Sequence, residues 1–260
     1  MPSTALLLLP GMSLNATLFP QFDFPIVAAE FNRTAPPPER RMEPYLERVD
    51  ELAAQPTWAG ATRRVIVGHS FGGMLALAWL LRHACAGPAR ADGLVLVSTT
   101  AGPMFDAVRV RLAGAGPLEW RVGIGPLLPL WNNATVTRGV KRLLAGGTLA
   151  TTDVDFHRLG LRGDLAVGLA GWRNTDWDAR RAYRAAMEGF DVRRRLHEIA
   201  VPTIVLHGTR DRLFPSATAL GLAAGLPNAQ LRIIEGAGHV LPLTHGNAVI
   251  SAVGDLLSRP

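Results

Sequence analysis

Ser70 is the first candidate for chemistry in this sequence. It stands between Gly68 and Gly72, where the β-branched run at 65–67 gives way to the apolar, Ala- and Leu-rich run at 74–83. Glycines two positions before and after a serine allow a tight strand-to-helix turn, which holds the hydroxyl clear of the backbone at a helix N-terminus. A surface turn without a chemical role is the alternative interpretation. Because a predicted strand and a predicted helix flank the pattern, we interpret Ser70 as a nucleophile.

A serine hydroxyl at neutral pH needs a base to accept its proton and an acid to orient that base. The sequence offers Asp211 just past the apolar predicted strand at 201–208, and His239 just past the last predicted strand at 229–234. An aspartate at such a place can also cap the next helix, and a lone histidine is more often structural than catalytic. The order Ser, Asp, His, with each residue following a predicted strand, favours the catalytic interpretation.

The other histidines are expected to have no catalytic role. We expect His69 and His207 to make structural hydrogen bonds, and the rest to be ordinary: His83, His157, His197 and His245.

Strands and helices that could position these residues alternate along most of the chain. Predicted strands lie at 5–9, 26–29, 65–67, 93–98, 201–208 and 229–234, and predicted helices at 42–54, 74–83, 216–225 and 247–258. The strands are apolar on both faces, which indicates a parallel sheet covered by helices on both sides. In such α/β sheets, ligands bind beyond the C-terminal ends of the strands, where all three candidate residues fall.

The middle of the chain has a different character, because the strand patterns stop between 104 and 198. Helical stretches at 136–145 and 178–187 are separated by glycines and prolines, and four of the six tryptophans fall in this segment. We predict a core of residues 1–103 and 199–260 and an inserted helical cap, or lid, of residues 104–198. Some of the tryptophans are expected to line a pocket between cap and core.

Composition narrows the class of protein. The chain has 260 residues and a net charge of +6, but no motif for nucleic-acid binding and no apolar run long enough to cross a membrane. Its single cysteine, Cys85, cannot form an internal disulfide, so we expect a cytoplasmic protein. The apolar run at 5–9 lacks a preceding basic residue and is interpreted as a strand, not as a signal peptide.

The patterns around Ser70, Asp211 and His239 resemble those of the α/β-hydrolase superfamily, in its carboxylesterase branch. The resemblance implies that Ser70 attacks an acyl carbonyl, that His239 is the general base and then the general acid, and that Asp211 orients it. It also implies an oxyanion hole made by the backbone N–H groups of Phe71 and Met12. No metal and no organic cofactor is implied.

The sequence departs from the family's pattern in three places. Pro10-Gly11 stands where His-Gly is common, the usual glycine-rich serine motif after the second strand is absent at 29–33, and the first strands of the fold are missing. We therefore expect a trimmed version of the fold.

A carboxylic ester with an apolar acyl group is the expected substrate. A thioesterase, a lactonase or a serine aminopeptidase would use the same triad, and a non-catalytic ligand-binding or docking module on this fold is the rival from another class. The segment 11–19 is also similar to the corresponding loop of esterases that act on pimeloyl esters of an acyl carrier protein. An acidic carrier would suit the predicted cap, which has 15 basic and 10 acidic residues, including arginines 193–195. A solvated helix face is the simpler interpretation of those arginines.

Overall fold

The computed structural model describes residues 3–31, 36–87, 90–103, 164, 167–168, 171 and 177–259. Most of the predicted cap, including the predicted helix at 136–145 and the four tryptophan side chains, lies outside these residues. The predicted helix at 178–187 is described and spans Trp177–Met187. The division of the chain into core and cap stays a prediction.

Six strands form one sheet in the described part of the chain. They are β1 (Thr4–Leu9), β2 (Ile26–Ala28), β3 (Arg63–His69), β4 (Gly93–Val97), β5 (Thr203–Gly208) and β6 (Ala229–Ile234), in the spatial order β2-β1-β3-β4-β5-β6. Every pairing among them is parallel. The predicted α/β class with a parallel central sheet is confirmed.

Helices cover both faces of this sheet. The described helices are α1 (Glu43–Ala53), α2 (Pro56–Ala59), α3 (Phe71–Arg82), α4 (Trp177–Met187), α5 (Ser216–Gly225), α6 (Leu241–Thr244) and α7 (Gly246–Leu257). Alternate residues of β1 enter opposite apolar layers: Leu7 packs with residues of α1 and α3, whereas Leu8 packs with residues of α7. Full burial of one such side chain contributes about 1.5–3 kcal/mol, so these two layers supply most of the driving force for folding.

The parallel sheet brings distant parts of the sequence to one edge. Because all strands run the same way, the chain leaves β1, β3, β5 and β6 at the same edge of the sheet. The register places Leu9 opposite Gly68 and Gly208 opposite Ile234, so the loops that follow these residues start at neighbouring heights. The loops that carry Met12, Ser70, Asp211 and His239 are therefore neighbours in space.

Candidate active site

Ser70 occupies a strained turn between β3 and α3. Its backbone angles are φ 51° and ψ −117°, a conformation that residues other than glycine rarely adopt. The flanking glycines allow this turn. A Cβ on Gly68 would come within 2.8 Å of the Gly73 Cα, and a Cβ on Gly72 would overlap the Leu9 carbonyl.

Replacement of Gly72 by alanine should therefore destabilise the fold. The added methyl group forces α3 away from the end of β1, and overpacking of this kind costs about 3 kcal/mol, or roughly 6–12 °C in Tm for a chain of this size. Thermal denaturation followed by circular dichroism measures this fall in Tm. Gly254→Ala is the matched control, since a Cβ at Gly254 in α7 meets nothing within 4 Å and alanine favours a helix by about 0.5–1 kcal/mol. Equal Tm values for Gly72→Ala and wild type would contradict the close contact.

His239 follows β6 and reaches Ser70. Its Nε2 lies 3.0 Å from the Ser70 Oγ, and its Nδ1 lies 2.9 Å from Asp211 Oδ2. Since an ionised carboxylate only accepts hydrogen bonds, Nδ1 carries the proton, and Nε2 of the neutral ring is free to accept one from the Ser70 hydroxyl. The structure thus brings together the three side chains that the sequence singled out.

Asp211 is held in the loop after β5 with no exposed side-chain surface. Its Oδ1 accepts the backbone N–H groups of Leu213 at 2.8 Å and Phe214 at 2.9 Å, which leaves Oδ2 for His239. Burial alone would raise the pKa of Asp211, but the charge and hydrogen bond of His239 and the Phe214 N–H outweigh it and lower the pKa to about 2. The helix-cap alternative does not hold, because α5 begins only at Ser216.

The charge on Asp211 in turn affects the pKa of His239. Burial alone would lower the pKa of the imidazole, yet the negative charges of Asp211 and Asp164 raise it above its ordinary value. A base with this pKa accepts a proton from the serine readily and holds it as an imidazolium stabilised by Asp211. The arrangement is able to perform nucleophilic acyl transfer.

The two N–H groups expected to bind an oxyanion belong to Phe71, the residue after Ser70, and to Met12. Phe71 is the first residue of α3, so its N–H has no partner within the helix. Met12 lies in the loop after β1, and that loop packs on the turn: a Cβ on Gly11 would come within 2.9 Å of His69 Nδ1. Their role as an oxyanion hole stays a prediction.

His69 and His207 make the expected hydrogen bonds to backbone carbonyls. Nε2 of His69 donates to the carbonyl oxygen of His239 at 2.9 Å, and Nε2 of His207 donates to that of Phe214 at 3.1 Å. Burial and the nearby His239 lower the pKa of His69 to about 3, so it stays neutral and keeps a lone pair on Nδ1. Both histidines thus support loops of the site.

Asp164 is a residue of the site that the sequence did not indicate. It lies in the predicted cap segment, and its carboxylate accepts the backbone N–H groups of His239 and Val240. No predicted strand precedes it in the sequence and no motif surrounds it, so only its position in the folded chain identifies it.

The fold and this site define an α/β hydrolase. Residues 59–246 match the family model of the alpha/beta hydrolase fold, and the chain belongs to that family.

Individual relatives indicate the range of activities within the family. The chain is 30% identical over 195 residues to the 2-hydroxymuconate semialdehyde hydrolase of Pseudomonas putida, an alignment that covers 75% of this chain and 62% of that one. It is 30% identical over 198 residues to the pimeloyl-[acyl-carrier protein] methyl ester esterase of Xanthomonas oryzae pv. oryzae, covering 73% and 68%. Among solved structures, the enol-lactonase from Burkholderia xenovorans LB400 superposes with a TM-score of 0.66 at 19% identity, covering 100% of this chain and 93% of that chain, which shows the fold alone.

The matched region is only part of several relatives. The chain spans 62% of the Pseudomonas putida hydrolase and 8% of a polyketide synthase that it also matches. None of the helices that the structure describes has the length and apolar character needed to span a bilayer.

Proposed function

We propose that this protein is a serine hydrolase that cleaves carboxylic esters with an apolar acyl group through an acyl-enzyme on Ser70. One observation carries the proposal: His239 bridges the Ser70 hydroxyl at 3.0 Å and the Asp211 carboxylate at 2.9 Å, at the C-terminal edge of a parallel sheet. The family assignment and the ester hydrolase among the relatives support it.

In the first half-reaction, Ser70 Oγ attacks the acyl carbon as its proton passes to His239 Nε2. The N–H groups of Phe71 and Met12 stabilise the tetrahedral oxyanion. The carbon–oxygen bond to the alcohol then breaks, and the imidazolium gives its proton to the leaving oxygen. Asp211 holds the Nδ1 proton and stabilises the imidazolium throughout.

In the second half-reaction, His239 takes a proton from water as the water oxygen attacks the acyl carbon. Collapse of the intermediate breaks the bond to Ser70 Oγ, which regains a proton from His239, and the carboxylic acid leaves. Side chains and water complete the cycle, so we propose no metal and no organic cofactor.

The apolar surroundings of the site support an apolar acyl group. Phe71 makes edge contacts with Tyr45 and Tyr183 at ring-centroid distances of 5.1 and 5.2 Å. Leu14 and Val240, which flank the loops of Met12 and His239, are buried. The cap proposed for residues 104–198 would complete the pocket.

An acyl carrier protein is a proposed partner, on the likeness to the Xanthomonas esterase. The arginines at 193–195 offer less free charge than their sequence suggests. Arg193 is ion-paired with Asp191 at 2.5 Å, and Arg195 with Glu198 at 2.7 Å. A carrier would therefore depend on other basic residues of the cap. The cytoplasmic location also stays a prediction.

Hydrolysis of a p-nitrophenyl series from acetate to decanoate tests the proposed reaction. We expect a burst of p-nitrophenol equal to the enzyme concentration, followed by slower turnover, because the acyl-enzyme forms faster than water releases it. Matched acyl thioesters, lactones and a pimeloyl methyl ester on its carrier form the comparison arms. Faster turnover of thioesters or lactones would assign the triad to one of those classes. Absence of turnover in every arm would favour the non-catalytic module.

A further inference from the structure

One carboxylate from the predicted cap segment fixes the backbone beside His239. Asp164 Oδ2 accepts the N–H of His239 at 2.8 Å, and Oδ1 accepts the N–H of Val240 at 2.9 Å. Both oxygens of one side chain therefore hold two successive peptide groups. A bidentate, charge-assisted contact of this kind fixes orientation as well as distance.

The same peptide segment is held from a second direction. The carbonyl oxygen of His239 accepts a hydrogen bond from His69 Nε2 at 2.9 Å, and His69 ends β3 inside the core. The N–H and the C=O of His239 are thus tied to two separate parts of the fold. Since the imidazole must reach Ser70 and Asp211 at once, these two ties set the position from which its side chain extends.

Gly238 makes room for the Asp164 carboxylate. A Cβ at Gly238 would lie 2.5 Å from Asp164 Oδ2, closer than any side-chain atom tolerates. The backbone of Gly238 does not have a positive φ. The glycine before His239 is therefore explained by the approach of Asp164 and not by backbone strain.

The segment that carries Asp164 also contacts the loop of Met12. The described residues Asp164, Val167 and Gly171 are each helical. Val167 is buried with Leu14 and Val240, and a Cβ on Gly171 would lie 2.6 Å from the Ser13 carbonyl oxygen. The described residues of this segment thus contact both the histidine loop and the loop proposed to bind the oxyanion.

We propose that Asp164 is a positioning residue, which holds the His239 loop so that the imidazole meets Ser70 and Asp211, and whose charge stabilises the imidazolium. This rests on the proposed function for its catalytic consequence, but the contact itself does not. The titratable groups that interact electrostatically with His239 are Asp211 from the loop after β5, His69 from β3, His207 from β5 and Asp164.

Titration of the His239 imidazole by NMR in the full chain tests the charge, with His239→Gln to assign the resonance. Asp164→Asn removes one negative charge with little change of shape, so the His239 pKa should move to lower values. Asp178→Asn is the matched control, because Asp178 is an exposed aspartate at the start of α4. A His239 pKa that is the same in Asp164→Asn and wild type would overturn the proposal.

Kinetics on a p-nitrophenyl ester tests the positioning. Asp164→Asn should lower kcat about 10- to 100-fold with KM nearly unchanged, because the reacting atoms are misplaced while substrate contacts remain. A higher KM with unchanged kcat would contradict the positioning role. If wild-type enzyme hydrolyses no ester, the proposed function fails, while the NMR titration still decides the role of Asp164.

A double-mutant cycle isolates the contact. Gly238→Ala pushes the Asp164 carboxylate away from the loop and should lower kcat about tenfold in the wild-type background, but hardly at all in the Asp164→Ala background. Gly238→Ala should change the chemical shift of the His239 imidazole in the wild-type background and not in the Asp164→Ala background. Equal effects of Gly238→Ala in both backgrounds would show that Asp164 does not act through this contact.

Discussion

Replacement of Ser70 by alanine should abolish the p-nitrophenol burst and lower kcat by about 10⁴- to 10⁶-fold. The hydroxyl is the atom that becomes acylated, and His239 has no other nucleophile within 3.0 Å among the contacts that the described residues make with it. Alanine has nearly the same backbone preferences as serine, so the strained turn at φ 51° should persist and the fold with it. Burst kinetics and a thermal melt of the same preparation separate loss of chemistry from loss of structure.

Ser258→Ala is the matched control for this variant. Ser258 lies exposed just after α7, where its hydroxyl donates to the nearby Asp255 carbonyl, and its loss should leave the burst intact. Labelling with a fluorophosphonate, read by mass spectrometry, adds an independent measure. Wild type and Ser258→Ala should carry one adduct on Ser70. An adduct or a burst of wild-type size in Ser70→Ala would refute the assignment of the nucleophile.

Replacement of Asp211 by asparagine should lower kcat by about 10⁴-fold. The asparagine carbonyl can still accept the N–H groups of Leu213 and Phe214, so the loop keeps its shape. Its NH₂ group would face His239 Nδ1, and because that group donates, the imidazole proton would move to Nε2. In this tautomer Nε2 donates instead of accepting, so it cannot take the proton from Ser70. Substrate contacts are untouched, and KM should change little.

Asp255→Asn provides the comparison for Asp211→Asn. Exposed Asp255 forms an ion pair at 2.8 Å with the partly exposed Arg232, and pairs at the surface contribute only about 0–1 kcal/mol. Its loss should leave both kcat and Tm close to wild type. If Asp211→Asn retained wild-type kcat while folded, orientation of His239 by Asp211 would have no part in catalysis.

Much of the fold was predictable, because the strands of a covered parallel sheet are apolar on both faces. The runs at 5–9 and 93–98 match β1 and β4 closely. The start of α3 was less predictable. The helix begins at Phe71, three residues before the predicted start at Met74. The prediction placed the start too late because Gly72 and Gly73 are typical of turns. Their lack of side chains instead serves packing: a Cβ on Gly73 would lie 2.6 Å from the Thr99 Oγ1.

The candidate site was predictable where residue type and strand ends coincide. Ser70, Asp211 and His239 each follow a strand of one sheet, and a parallel sheet must bring such positions together. Asp164 follows no predicted strand, and its partners are backbone N–H groups, which any sequence provides. The role of Asp164 depends on the tertiary contact between its segment and the His239 loop, and residue patterns along the sequence do not predict such a contact.

The pairing of β4 with β5 has a consequence for how the chain folds during synthesis. Leu94 lies beside Thr203, although the whole segment 104–198 separates their strands in the sequence. During synthesis, β1 to β4 emerge well before β5, and the edge of β4 that pairs with β5 stays unpaired until Thr203–Gly208 have left the ribosome. An unpaired apolar edge is a site of aggregation, so nascent chains of this protein should depend on chaperones until β5 arrives.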